Sequence, residues 1–157
     1  MPTFKTGLLA FAAGLLLLGA PACSSPAKYE KTSTKSLYDR LGGSYAIAAV
    51  TDDFVNRLLA DPVVTGNKEA VKRLPEGHVP GLKFEVAALL CQVTGGPAMY
   101  TGKSMKDAHM GMHITDAEWN AMVADFKATL DAFKVPAQEQ QELFDIVGST
   151  KADIVGQ

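Results

Sequence analysis

Cysteine is scarce in this chain: two in 157 residues, Cys23 and Cys91. That excludes a disulfide framework. An excess of positive charge is missing too. Lys plus Arg number 15 against 17 Asp plus Glu, a net charge of −2, which offers no basic face to nucleic acid. No stretch alternates apolar and polar residues as a half-buried strand would, and no internal repeat is present. No apolar run reaches the roughly 20 residues that span a bilayer; that of Gly7 to Ala20 has 14. A flavin or nicotinamide motif is also absent, so electrons for any redox cycle must come from elsewhere.

What is present begins with a leader. One early lysine (Lys5), the short apolar run and small residues at Ala20 and Ala22 form a secretory signal over residues 1–22. Cys23 follows where bacterial lipoprotein signals place the lipid-modified cysteine, although Ala20 stands where leucine is usual. The protein is therefore expected to be exported to the periplasm, with a lipid anchor on Cys23. Residues 23–35 are polar and aperiodic and read as a tether. The folded domain spans 36–157, and Cys91 reads as a small core residue.

That domain reads as all helix. Leu37–Leu41 opens it and Gly42-Gly43 stops it. Ser44–Ala60 follows, with Ile47, Val50, Phe54 and Leu58 on one face. Val63–Gly77 shows no clear element. Pro80 suits the first turn of the next helix, which carries Leu82, Val86, Leu89, Leu90 and Val93 on one face up to about Thr94. Asp116–Phe133 places Trp119, Met122, Val123, Phe126, Leu130 and Phe133 at helical spacing. Pro136 opens the last helix, with Leu143, Ile146, Val147 and Ile154 apolar.

The organising stretch is Thr94–Thr115, which holds two of the three histidines. Gly95-Gly96-Pro97 ends the preceding helix. Ser104-Met-Lys-Asp107 and Thr115-Asp-Ala-Glu118 are capping patterns, so a short helix starts at Ser104 and another at Thr115. His109 then lies near the end of the first, one turn after Met105. Such a histidine can be a core residue bonded to a carbonyl, a zinc ligand, or an axial ligand to haem iron. His113 is four residues on, but the Thr115 cap separates the two, and zinc lacks its third ligand nearby. Haem needs one neutral imidazole and a slot of Met, Leu, Val and aromatic side chains, and the sequence supplies both.

Several runs resemble the group I truncated haemoglobins, small globins with a two-over-two helical sandwich. They are Leu37-Tyr-Asp-Arg-Leu-Gly-Gly43, Asp52-Asp-Phe54, Leu59-Ala-Asp61, Thr94-Gly-Gly-Pro97, Tyr100-Thr-Gly-Lys103, Met105–His109 and Ile114-Thr115. The resemblance implies haem b with His109 as the proximal iron ligand. It implies haem contacts from Leu82, Val86, Leu89 and Leu90 on one side, and from Met105, Met112, Ile114, Trp119 and Met122 on the other. Tyr100 falls at the haem edge, and His113 near a propionate.

The departures lie in the distal pocket, formed in this reading by Phe54, Val55, Leu82 and Val86. The family often carries Tyr at the position of Val55, and a polar group on the distal helix where Leu82 and Val86 stand. It also packs a Phe on the haem from the region of Val63–Gly77, which here has none. A hydrogen bond to a partly charged ligand is worth roughly 1.5–3 kcal/mol, so dioxygen release and oxidation to ferric haem are expected to be fast. Thr51, Tyr45, His78 and Gln92 are the donors that could stand in, and His78 could also swing onto the iron as a second axial ligand. The function implied is reversible binding of dioxygen, nitric oxide or carbon monoxide. The alternatives are nitric oxide dioxygenation with an external electron donor, or electron transfer by six-coordinate haem.

Overall fold

The computed structural model describes residues 35–74 and 77–157. The leader, Cys23 and nearly all of the tether lie outside them. Among the described residues, five helix starts follow from side chains that accept orphan N–H groups. Ser36 accepts from Asp39 and opens α1 (Leu37–Arg40). α2 (Gly43–Ala60) begins within the glycine pair, with Gly42 as its N-cap, and buries Ile47, Thr51, Phe54 and Val55. Asp61 ends α2, and its carboxylate accepts the Val63 N–H at 2.7 Å, with Pro62 in the first turn of α3 (Pro62–Thr65). Asn67 accepts from Glu69 and Ala70 and opens α4 (Lys68–Lys72). α5 (Val79–Val93) carries Pro80 in its first turn, and its C-cap residue, Thr94, is buried. Ser104 caps α6 (Met105–His109), and a reciprocal Thr115–Glu118 box opens α7 (Asp116–Ala132). α8 (Ala137–Ser149) and α9 (Lys151–Ile154) complete the chain.

One helix pair, α2 with α5, faces a second, α7 with α8, whose Phe126 and Phe144 meet. α2 packs along α5 and also against α7. The core sits between the pairs, where Leu37, Phe54, Phe126, Leu130 and Leu143 cluster. Phe126 meets Phe54 edge-on at 5.0 Å and Phe144 of α8 at 5.7 Å, geometry that adds to the gain from burial. Arg40 of α1 bonds Glu139 and Glu142 of α8 and ties the first turn to the far pair. The all-helical two-over-two sandwich holds.

Three details differ from expectation. Val63–Gly77, which showed no clear element, holds α4 and all of α3 but its first residue. Val93 and Phe133 are not core: they are 40% and 43% exposed, because each stands where its helix ends and the buried stripe runs out. Ile114 and Val155 form an isolated parallel bridge that no periodicity announces.

The turn after α5 explains Gly96. Tyr38 N–H donates to Thr94 O at 2.9 Å, and its hydroxyl accepts the Ser44 N–H at 3.0 Å. The ring therefore lies on the turn, where a Cβ at residue 96 would be 2.4 Å from Tyr38 Cδ2. Only glycine allows that approach.

Candidate functional site

His109 is the last residue of α6 and half-buried. Its Nδ1 lies 2.8 Å from Met105 O. A carbonyl oxygen only accepts, so Nδ1 carries a hydrogen, and in the neutral ring Nε2 keeps a lone pair. That is the tautomer an axial imidazole needs, with the ring oriented by its own helix.

A cavity of about 320 Å³ opens in the same domain. Val55, Leu58 and Leu59 of α2 form one wall and Leu82 of α5 another. Val64 and Thr65 of α3, Ala70 and Val71 of α4, and Leu74 close it. Nearly every lining side chain is apolar, and the size lies at the low end of the roughly 300–1,000 Å³ typical of cofactor clefts. Asn67 Nδ2 donates to Met112 O at 3.0 Å, and Arg73 donates to Ala108 O at 3.3 Å and also to Met110 O. These bonds join the α4 segment to the loop that carries His109.

The remaining expected residues fall in several places. Val55 and Leu82 line the cavity. Phe54, one residue before Val55, turns instead onto Phe126 in the core, because adjacent helical residues do not share a face. Leu90 and Met122 pack against the core cluster, and Leu90 also lines a separate void of about 30 Å³ with Ile47 and Phe126. Trp119 is buried, while Val86, Leu89, Met105, Met112 and Ile114 are half-buried. Tyr100 donates its hydroxyl to Lys103 O at 2.8 Å, and burial, then Glu85, raises its pKa. His113 is exposed in a left-handed conformation (φ 52°), its N–H on Gln157 O.

The stand-in donors fare unevenly. Tyr45 is 91% exposed, and Gln92, also exposed, accepts the Tyr100 N–H at 2.6 Å. His78 is exposed at the start of α5 and is not among the lining residues. Thr51 is 1% exposed and its hydroxyl has no partner. It stands one helical turn before Val55.

The family model for bacterial-like globins matches residues 36–155. This chain is a bacterial-like globin. The globin is 32% identical over 130 residues to a group 1 truncated hemoglobin of Mycolicibacterium paratuberculosis, covering 82% of this chain and 90% of the relative. It is 29% identical to that of Tetrahymena pyriformis, covering 78% and 96%. The crystal structure of the ferric Tetrahymena pyriformis protein superposes with a TM-score of 0.69 at 26% identity, covering 78% of this chain and all of that one. The 2/2 hemoglobin of a Synechococcus species gives 0.68 at 24% identity, with 78% and 100% covered, a likeness of fold. Haem binding is the family's property. The globin's residues suit that group: one imidazole with its outer nitrogen available, and an apolar cavity tied to the same loop.

Sequence reasoning missed Asn67, Arg73 and the lining residues of α3 and α4. Asp61-Pro62 and Asn67 were readable as helix starts, but what Arg73 reaches was not.

Proposed function

We propose that this globin holds haem b through His109 and reversibly binds a small diatomic gas, dioxygen or nitric oxide, outside the cytoplasm. The observation that carries the reading is the Nδ1–H bond from His109 to Met105 O, which leaves Nε2 as a ligand. When bound, haem supplies an iron centre with a coordination position open to such a gas.

The chain's own residues do the rest. Met105 O holds the imidazole in one tautomer and raises its basicity as a ligand. Val55 and Leu82 wall the cavity with hydrocarbon, so they keep water out and offer no hydrogen bond to a polar ligand. That favours quick release over tight retention. His78 lies outside the lining residues, which favours gas binding over ligation of the iron by a second histidine. A nitric oxide dioxygenase would need an electron donor, which a partner protein would supply.

Absorption spectra of wild type and His109→Ala in oxidised, reduced and carbon-monoxide-bound forms test the assignment. A broad visible band in the ferrous wild type, lost in the variant, is expected. Unchanged spectra in His109→Ala refute it. Export and anchoring are tested by labelling cells with a radioactive fatty acid: wild type takes up label and Cys23→Ser does not. No helix among the described residues is long and apolar enough to cross a membrane.

A further inference from the structure

The carbonyls around His109 are bonded both locally and from the distant α4 segment. The last carbonyls of any helix lack partners within it. Here Met105 O takes the His109 ring N–H, and His109 O takes the Met112 N–H at 3.0 Å. The carbonyls on either side of His109, those of Ala108 and Met110, both take the Arg73 guanidinium. Met112 O takes Asn67. Gly111 makes room for this: it sits at φ +76°, and a Cβ there would lie 3.3 Å from Arg73 Nη2.

Asn67 and Arg73 flank α4 on its two ends, and between them Ala70 and Val71 wall the cavity. One five-residue helix therefore touches both the apolar chamber and the peptide planes around the imidazole. The planar fork of an arginine can hold two carbonyls at once, which a lysine ammonium does less well.

We propose that Arg73 is a positioning residue for His109: it clamps the carbonyls of residues 108 and 110 and so sets the imidazole's orientation from the helix that walls the cavity. This rests on the reading that His109 holds haem iron. The same short helix would thereby couple the wall of the cavity to the orientation of the imidazole that would hold iron.

The test compares wild type, Arg73→Met, Arg73→Lys and His109→Ala, each reconstituted with added haem. Two quantities are read: the iron–histidine stretching band of the ferrous protein by resonance Raman, and the rate of haem transfer to an acceptor globin. Arg73→Met is expected to shift and broaden the band and to speed haem loss roughly tenfold, the low end for a lost group that orients a metal ligand. Arg73→Lys is expected to restore the band in part. A wild-type band and loss rate in Arg73→Met overturn the proposal, even if its melting temperature falls. If His109→Ala keeps the wild-type spectrum, the haem assignment itself fails; if His109→Ala changes and Arg73→Met does not, only the clamp fails.

Discussion

Replacing Thr51 by valine removes one buried hydroxyl and keeps the side chain's shape. Thr51 is 1% exposed, and its Oγ1 has no hydrogen-bond partner. Threonine in a helix usually returns its hydroxyl to the carbonyl four residues back, here Ile47, but this one does not. A buried polar atom without a partner costs about 1–3 kcal/mol. Valine removes that cost and leaves no cavity, so Thr51→Val should stabilise the fold by up to that amount. For a domain of this size each kcal/mol moves the melting temperature by roughly 3–5 °C. Thermal unfolding at pH 7, with urea unfolding as a second measure, gives the answer. Dioxygen release, followed by stopped flow, should stay within about twofold of wild type, since a 1.4 kcal/mol loss would be tenfold. A variant less stable than wild type by 1 kcal/mol or more would show that the hydroxyl has a partner and refute the reasoning. Release ten times faster in that variant would identify the partner as the gas.

Other perturbations follow from the same structure. Val55→Tyr combined with Leu82→Gln places donors in the apolar cavity and should slow dioxygen release by roughly ten- to a hundredfold, the worth of a hydrogen bond to a charged acceptor; an unchanged off-rate by flash photolysis would show that these positions do not face the ligand. Gly96→Ala forces a Cβ to within 2.4 Å of the Tyr38 ring and 2.8 Å of Cys91 O, and should cost at least about 1–3 kcal/mol as measured by urea unfolding. Thr129→Val tests the acid side. The Arg57 guanidinium, then the Thr129 hydroxyl at 2.8 Å, hold the Asp53 carboxyl below its ordinary range. A depressed carboxyl contributes stability above its unfolded pKa, near 4, and loses it as pH falls through the folded value. The variant should therefore lose more stability at pH 7 than at pH 3, and equal losses at both would contradict the link.

Much of the fold could be read before any coordinates. Capping residues Ser104 and Thr115 and the Gly-Gly breaks mark helix ends by chemistry local to a few residues, and local chemistry survives in sequence. His109 was legible for the same reason: its place at the end of a short capped helix follows from Ser104. The α3–α4 segment was not, because a four- or five-residue helix has too few turns for a periodic apolar face. Phe54 illustrates a finer limit. Its spacing marks it as buried but does not say which of two interiors it enters, and one residue of rotation sends it to Phe126 and Val55 to the cavity. Arg73 and Gln92 are harder still, since each acts on backbone atoms of another segment, and no side-chain pattern records the need of a distant carbonyl or N–H.

The loop that follows His109 is stitched from both directions along the chain. Asn67 reaches it from 45 residues upstream, while the Gly156 N–H donates to Ile114 O and Gln157 O takes the His113 N–H. An N-terminal fragment that stopped before α9 would still contain the aromatic core, but the loop after His109 would lose its bonds to Gly156 and Gln157. If His109 holds haem as proposed, a product cut before α9 is expected to lose added haem faster than one that keeps these bonds.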